Sequence, residues 1–440
     1  MPETSELHLA VALDGAGWHH AAWRAPDARP GELFSAGYWA DLAREAEAGA
    51  LDFLTIEDSL GLQTAGRFAG PDDRTDQVRG RLDAVLTAAR IAPHTTRIGL
   101  VPTAVTTHTE PFHLSTSIAT LDYVSEGRAG WRPRVAASPE EARHFGRREF
   151  PPLTQANVTD PAVAAHLSDL FDEAADAIEV VRRLWDSWED DAVIRDVPGG
   201  RFVDRGKLHY IDFDGRWFAV RGPSITPRPP QGQPVVASLA HGPVPYLFAA
   251  RASDVVFVTP ASAWHAVTIV QEVRAAELAV GRAGHAELDP GYPERPRDVS
   301  AAPPPARPAG PGSDAAPLAV YADLVVFIDD RPGTAAARKR RLDDLDGADF
   351  ATDCAVVAGT PGELADLLLD WRQAAGLDGF RLRPGALPHD LQQITGALVP
   401  ELRRRGAFRS GYAESTLRER LGLSRPANRY GASRDQIGAA

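Results

Sequence analysis

The feature that most constrains the fold of this chain is a regular alternation of short apolar runs with longer helical patterns. Each apolar run has the length and composition of a buried strand. Eight of them occur along the 440 residues, at Leu7–Leu13, Phe53–Glu57, Arg97–Val105, Ala129–Val135, Pro234–Leu239, Asp254–Thr259, Val320–Ile328 and Gly379–Leu382. Parallel strands need crossover helices between them, so eight such units predict an α/β protein with a (β/α)8 TIM barrel.

Helical patterns lie between the predicted strands, and two stretches interrupt the alternation. The clearest amphipathic patterns cover Tyr38–Ala48, Leu82–Ile91, Pro111–Val124 and about Val163–Trp185. The stretch from about 188 to 228 is rich in Asp, Gly, Arg and aromatic residues and predicts a β-hairpin insertion on a barrel loop. The Pro-rich stretch from about 281 to 317 supports neither helix nor central strand, and predicts a mobile lid or a disordered insertion. Because strands resume after both, residues 1–440 are predicted to form one barrel domain with loop insertions.

The composition and net charge of the chain argue against several classes of binding partner. A formal net charge of -13 argues against binding to a nucleic-acid backbone, which requires a basic face. No apolar run approaches the roughly 20 residues of a membrane span, and the acidic N-terminus lacks the basic region of a secretory signal. The single cysteine, Cys354, excludes an intrachain disulfide and a cysteine-built metal site. We therefore predict a cytoplasmic protein that acts on a small organic molecule, with neither nucleic acid nor membrane as partner.

Candidate functional residues follow from the barrel geometry, since functional side chains lie at the carboxyl ends of the strands and in the loops after them. The polar residues there include His19, His20, Asp58, Thr103, Thr106, His108, Arg132 and His241. Asp58, His20 and His241 are predicted to be catalytic acid–base groups, because carboxylates and histidines exchange protons near neutral pH. The predicted substrate-binding residues are His19, Thr106, His108 and Arg132. The guanidinium of Arg132 would clamp an anionic group.

One alternative interpretation and three excluded patterns accompany this set of candidate residues. The loop that carries His19 and His20 is rich in Gly and Trp, and it is equally compatible with solvent-exposed histidines. No His-Glu-x-x-His, Gly-x-Ser-x-Gly or Gly-x-x-x-x-Gly-Lys pattern occurs. The sequence therefore predicts no metal, and it gives little support to a serine hydrolase or a nucleoside-triphosphate enzyme.

Several longer stretches match a known family in order along the chain. They include Leu51-Asp-Phe-Leu-Thr-Ile-Glu-Asp-Ser-Leu, Leu121-Asp-Tyr-Val-Ser-Glu-Gly-Arg-Ala-Gly-Trp, Leu184-Trp-Asp-Ser-Trp, Val399-Pro-Glu-Leu and Thr416-Leu-Arg-Glu-Arg-Leu-Gly. From about Leu7 to Leu423 the chain resembles the luciferase-like flavin-dependent monooxygenases, in the branch with the nitrilotriacetate, dibenzothiophene-sulfone and long-chain alkane monooxygenases. The resemblance implies a barrel that binds reduced FMN, activates O2 and oxygenates a small organic substrate. It also implies a separate flavin reductase and a homodimer or other homo-oligomer.

The residues that the family uses to hold FMN are only partly present. Asp58 and Thr103 stand where the family has flavin contacts. A His-x-x-x-Tyr pair of the family falls on Leu167 and Phe171, which lack those polar groups. The Trp-Asn-x-x-Thr segment becomes Trp131-Arg-Pro-Arg-Val, without the asparagine and the threonine.

The family's phosphate-binding loop has changed as well. Its Ala-Gly-x-Ser-x-x-Gly pattern becomes Ala240-His-Gly-Pro-Val-Pro, in which Gly242 replaces the serine and Pro243 and Pro245 remove two amide donors. Arginines on the side of the fourth strand could supply a replacement phosphate site. The candidates are Arg132, Arg134, Arg143, Arg147 and Arg148.

These observations lead to three hypotheses. The first is a small-molecule enzyme, of the kind that tailors biosynthetic products, whose FMN site is degraded and which performs acid–base chemistry without conventional FMN use. The second is a monooxygenase dependent on FMNH2 and O2, with a rebuilt phosphate site and a flavin reductase as partner. The third is a non-catalytic ligand-binding or partner subunit, for which an apolar and closed barrel mouth is expected.

Overall fold

Eight parallel strands close into a ring in the computed structural model, which describes residues 6–64, 72–154, 156–158, 160–282 and 316–431. In chain order they are β1 (His8–Leu13), β2 (Phe53–Ile56), β3 (Gly99–Val105), β4 (Gly130–Arg134), β5 (Val235–Ala240), β6 (Val255–Val258), β7 (Ala319–Ile328) and β8 (Gly379–Pro384). Each strand pairs in parallel with the next, and β8 returns to pair with β1. The predicted (β/α)8 barrel is therefore confirmed.

Helices lie between successive strands and surround the barrel. They cover Ala36–Ala48, Ala84–Ile91, Pro111–Val124, Pro139–Phe145, Pro161–Asp186, Pro243–Ala252, Ala263–Ala279, Thr334–Asp346, Pro361–Ala375, His389–Gln393, Val399–Arg404 and Leu417–Arg420. A ninth strand, Ala355–Gly359, which the sequence analysis did not predict, pairs with the second half of β7 outside the ring. The order of strands and helices is otherwise the one that the apolar periodicity predicts.

Local sequence fixes the ends of these helices. The helix Pro361–Ala375 begins after Thr360, whose hydroxyl accepts from the amide of Glu363 while the Glu363 carboxylate accepts from the amide of Thr360. Its proline occupies the first helical position, where no amide donor is needed. Gly376 ends the helix with a φ of 66°, a conformation that glycine adopts without strain.

The two interruptions differ in what the structure describes. The stretch 188–228 contains two antiparallel hairpins, formed by Val193–Asp196 with Arg201–Val203 and by Phe213–Asp214 with Ala219–Val220. The Pro-rich stretch predicted as the second insertion lies almost entirely outside the described residues. No helix among the described residues combines the length and apolarity that crossing a membrane requires.

The C-terminal segment closes the amino end of the barrel. Leu417 is fully buried and packs in one apolar cluster with Phe53, Val101 and Tyr321, which belong to β2, β3 and β7. Gly99 at the start of β3 gives this leucine its space, because a Cβ there would lie 2.7 Å from Leu417 Cδ1. The amino half of the interior is therefore apolar and filled, and charged side chains occupy the carboxyl half.

We expect Leu417→Ala to destabilise the fold by about 2–5 kcal/mol, because the removed methyl groups leave a cavity in a closed interior. The matched control is Leu86→Ala, since Leu86 is 71% exposed and its truncation is expected to change stability by no more than about 0.5 kcal/mol. Urea unfolding of both variants measures the difference. Equal effects of the two substitutions would contradict the closing role of Leu417.

Candidate active site at the carboxyl end of the barrel

Five charged residues form a layer across the carboxyl half of the barrel interior. They are Glu57 at the end of β2, Arg132 on β4, Asp323 on β7, and Arg381 and Arg383 on β8. Alternate residues of a strand face the same side, so the two β8 arginines both point into the barrel. We call these five residues the ion-pair layer.

The layer is connected by direct contacts. Arg381 Nη2 lies 2.5 Å from Asp323 Oδ2, and Arg381 Nη1 lies 3.2 Å from Glu57 Oε1. Arg132 pairs with Glu57, and Arg383 pairs with Asp323. The side chains of Arg381 and Asp323 are both 0% exposed, so each charge depends on its partners for the interactions that water would otherwise provide.

Further polar groups complete the layer and extend it toward the mouth. Thr103 Oγ1 accepts a hydrogen bond from Arg132 Nε at 2.9 Å. Arg383 Nη1 lies 2.5 Å from Asp353 Oδ1, and the other oxygen of Asp353 lies 3.7 Å from His241 Nε2. Adding Asp353 gives three carboxylates for three guanidinium groups.

The pKa values of Glu57, Asp323 and Arg132 keep these groups ionised at neutral pH. Burial alone raises the pKa of the Glu57 carboxyl, but the charges of Arg132 and Arg381 outweigh it, so this pKa lies below its usual range. Burial also raises the pKa of Asp323, and Arg381 and Arg383 reverse that shift in the same way. Burial lowers the pKa of Arg132 to about 10, which leaves the guanidinium charged at neutral pH.

A polar cleft of about 240 Å³ opens beside the layer at the barrel mouth. Its lining residues are Glu57, Asp58, Ser59, Leu62, Gln63, Thr64, Arg81 and Arg134. Arg81 makes two hydrogen bonds to Asp14, at 2.6 and 3.0 Å. Arg134 Nη1 donates to Glu141 Oε1 at 2.7 Å. Both guanidinium groups are thus held by carboxylates at the edge of the cleft.

Asp58 differs from the other charged residues of the cleft. Its Oδ1 accepts from the amide of Ser59 at 2.7 Å, and its Oδ2 accepts from the amide of Ala84 at 2.9 Å. No cationic group of the described residues lies within salt-bridge distance of this carboxylate. Burial raises the pKa of Asp58, and the two amide donors oppose that shift without cancelling it. A half-buried carboxyl of this kind is suited to proton transfer.

The other predicted acid–base residues lie at different points around the mouth. His20 Nδ1 lies 3.5 Å from Asp346 Oδ2. His241 at the end of β5 has Nδ1 3.0 Å from Thr259 Oγ1 and faces Asp353 with Nε2. These contacts of His20, His241 and Asp58 are thus made to different residues. His241 and Asp353 form a histidine–carboxylate pair beside the ion-pair layer.

The predicted substrate-binding residues are mostly engaged within the protein. His19 is buried, with Nε2 3.0 Å from Asp343 Oδ1 and with Nδ1 accepting from the amide of Ala21. Because Nδ1 accepts, Nε2 carries the proton and donates to the aspartate. Thr106 Oγ1 donates to the main-chain oxygen of Arg134. The guanidinium of Arg132, predicted as an anion clamp, is bound to Glu57 and Thr103.

His108 lies in an aromatic stack. Its ring centroid is 4.9 Å from that of Phe145 and 5.4 Å from that of Phe150. Burial lowers the pKa of this histidine, and the nearby charge of Arg148 adds to the effect. The neutral imidazole therefore behaves as part of the packing of the loop after β3.

The helix after β5 begins with few free amide donors. Pro243 is its first residue and Pro245 its third, and neither carries an N–H. The amide of Tyr246 already donates to the oxygen of Gly242 at 2.9 Å. Of the first three helical positions, only Val244 has an amide N–H. Phe171, at a predicted family contact, packs against Phe248 with ring centroids 5.5 Å apart.

The comparisons with known proteins agree with this architecture. The sequence pattern of the family described as Luciferase-like monooxygenase matches residues 16–379. The chain belongs to this family. The resemblance found in the sequence analysis is thereby confirmed, and with it the expectation that this luciferase-like protein is an enzyme.

Individual relatives support the same branch. Nitrilotriacetate monooxygenase component A from Aminobacter aminovorans is 31% identical over 472 residues, covering 97% of this chain and 99% of that protein. N-acetyl-S-(2-succino)cysteine monooxygenase from Bacillus subtilis (strain 168) is 30% identical over 468 residues, covering 97% and 98%. The solved structure of a long-chain alkane monooxygenase superposes with a TM-score of 0.76 at 22% identity, covering 95% of this chain and 96% of that one, which shows the shared fold.

Most of the charged residues at the barrel mouth are not among the predicted site residues. The missed residues are Glu57, Asp323, Arg381, Arg383 and Arg81. A signal for two of them was present, because Gly379-Phe-Arg-Leu-Arg-Pro places both arginines on one face of a buried strand. An aspartate inside the apolar run of β7 is a second signal, since a buried carboxylate needs a cationic partner.

We expect Asp323→Asn to destabilise the protein by about 3–5 kcal/mol, because it leaves two buried guanidinium groups without their shared carboxylate. Asparagine has nearly the same volume, so a cavity does not account for the loss. The control is Glu140→Gln, which breaks the exposed 3.0 Å pair with Arg143 and is expected to cost less than about 1 kcal/mol. Urea unfolding measures both, and a similar cost for the two substitutions would show that the layer contributes little.

Proposed function

We propose that this luciferase-like protein is a small-molecule enzyme that performs acid–base chemistry at Asp58 and does not hold FMN in the family's conventional way. The observation that carries the proposal is the start of the helix Pro243–Ala252. An FMN phosphate has about two negative charges and needs several hydrogen-bond donors to leave water. Prolines at the first and third positions of this helix remove two of the amides that a helix start would offer.

The arginines that could replace this cradle are already bound to carboxylates. Arg143 and Arg147 form exposed pairs with Glu140 and Glu110. Arg148 Nη1 lies 2.7 Å from Glu173 Oε2. A phosphate would have to compete with the Glu173 carboxylate for Arg148, whereas the exposed pairs of Arg143 and Arg147 are worth less than about 1 kcal/mol each and oppose it little.

The ion-pair layer supports the same proposal. Its side chains occupy the carboxyl half of the barrel interior, and Arg132 stands where the resemblance implies a flavin-contacting asparagine. Leu167 and Phe171 replace two polar contacts with apolar groups. These residues do not fit FMN bound in the family's way, so we derive no step that uses it.

Asp58 supplies the acid–base part of the proposal. Its carboxyl faces a polar cleft, and its raised pKa allows it to accept a proton from a substrate and return it. His241, held by Thr259 and Asp353, is the candidate for the complementary group on a larger substrate. The polar lining of the mouth also argues against a non-catalytic partner subunit, for which an apolar and closed barrel mouth is expected.

A second candidate function is the family's own reaction, reduced FMN and O2 acting on an organic substrate. The retained Asp58 and Thr103 favour it, because both stand at positions of family flavin contacts. Under this alternative the protein needs a flavin reductase as partner. We also propose that the protein is a cytoplasmic homodimer. Light scattering on the purified protein measures its mass in solution and so tests the dimer.

An anaerobic titration with FMN, in oxidised and reduced form, separates the two candidates. We expect no saturation at concentrations roughly a hundredfold above the micromolar range, because the phosphate finds too few donors. Flavin fluorescence and absorbance report the binding. Saturable binding of reduced FMN in the micromolar range would overturn the proposal and favour the monooxygenase.

A variant that restores the missing donors sharpens this test. Pro243→Ala combined with Pro245→Ala adds two amides to the helix start, and we expect FMN to bind at least about tenfold more tightly than to the parent protein. Pro361→Ala is the control, because it changes a first-position proline on a different helix. A double variant that binds no better than the parent would show that the helix start is not the reason for weak binding.

A further inference from the structure

We infer that the cleft at the barrel mouth binds a small polar amine in its protonated form, with Asp58 as counter-ion and Gln63 as hydrogen-bond acceptor. The inference rests on the proposed function, since it names the substrate class of the same site. It depends on which groups of the cleft are already satisfied within the protein.

The charges around the cleft are paired, with one exception. Arg81 is bound to Asp14, and Arg134 to Glu141. Glu57 is bound to two arginines of the ion-pair layer. Among the described residues, Asp58 has only amide donors as partners. In the described part of the chain, Asp58 is therefore the charged group of the cleft without a direct salt bridge, although the charge of Arg81 acts on it from a greater distance. A cationic ligand would pair with it directly.

Gln63 provides a second, independent observation. Its Nε2 donates to the main-chain oxygen of Gly80 at 3.1 Å, which fixes the orientation of the amide. Its Oε1 is buried and has no hydrogen-bond partner among the described residues. A buried acceptor without a partner is costly, so a ligand that donates a hydrogen bond to it gains affinity.

The two observations select the same chemistry. A carboxylate and an amide oxygen are both acceptors, so the complementary ligand is rich in donors and positively charged. A protonated primary or secondary amine has both properties, whereas a quaternary ammonium has the charge without the N–H groups. The cleft of about 240 Å³ is smaller than the roughly 300–1,000 Å³ of drug-sized sites, which indicates a ligand of metabolite size.

Binding of three small probes to the flavin-free protein tests the inference. Ethanolamine has a protonated amine, choline has the same charge without N–H groups, and glycolate has the opposite charge. We expect ethanolamine to bind at least about tenfold more tightly than choline or glycolate at equal ionic strength. Ligand-detected NMR and thermal shift report the binding. No binding of ethanolamine at 100-fold excess over the protein, or binding of choline or glycolate with equal strength, would overturn the inference.

Variants assign the binding to the named groups. We expect Asp58→Asn to weaken ethanolamine binding about tenfold and Gln63→Leu to weaken it severalfold. The matched control is Asp73→Asn, which removes an exposed carboxylate that does not line the cleft and is expected to change binding less than twofold. Thermal unfolding of each variant verifies the fold. Unchanged binding by a folded Asp58→Asn protein would overturn the inference.

The outcome is separable from that of the proposed function. Loss of amine selectivity, together with absence of FMN binding, would overturn only the substrate class. Tight binding of reduced FMN would overturn the proposed function, whatever the probes show in the flavin-free protein. Displacement of ethanolamine by FMN would assign the cleft to the cofactor and overturn both.

Discussion

The pairing of Arg381 with Asp323 and Glu57 holds the centre of this barrel together. Each of these charges is removed from water by the surrounding strands, and an isolated charge at that depth would cost several kcal/mol, on the order of the whole stability of a domain. From β8, the guanidinium of Arg381 contacts Asp323 on β7 on one side and Glu57, which follows β2, on the other. The closure of the sheet therefore brings together the groups that compensate these buried charges.

This layer also determines where chemistry can occur. The amino half of the interior is filled by apolar side chains and closed by Leu417, and the carboxyl half is filled by paired charges. Asp58 and Gln63 line the cleft at the rim. Among the described residues, Asp58 has no salt-bridge partner, and the buried Oε1 of Gln63 accepts no hydrogen bond. In the part of the chain that the structure describes, these two acceptors at the mouth are the basis of the proposed cation site.

Much of the fold could be predicted from the sequence, because strand and helix periodicities are local. The apolar run before Asp58 and the helix that starts at Pro111 were predicted within a residue or two of their bounds. The candidate site was predicted less completely. Asp58 was identified from its place after β2, whereas Arg132 was assigned to an anion and is bound to Glu57. Nothing in the local sequence indicates which of several nearby carboxylates an arginine will meet.

The sequence by itself determined the barrel, the family and the loss of amide donors after β5, since a proline lacks its N–H in any surroundings. Only the tertiary structure decided which charges are paired and which remain available. Arg381 and Asp323 are 58 positions apart and meet because strand register in a closed barrel places them opposite each other. Among the residues that the structure describes, Asp58 has no salt-bridge partner for the same reason, because the neighbouring guanidinium groups are directed by the fold to other carboxylates.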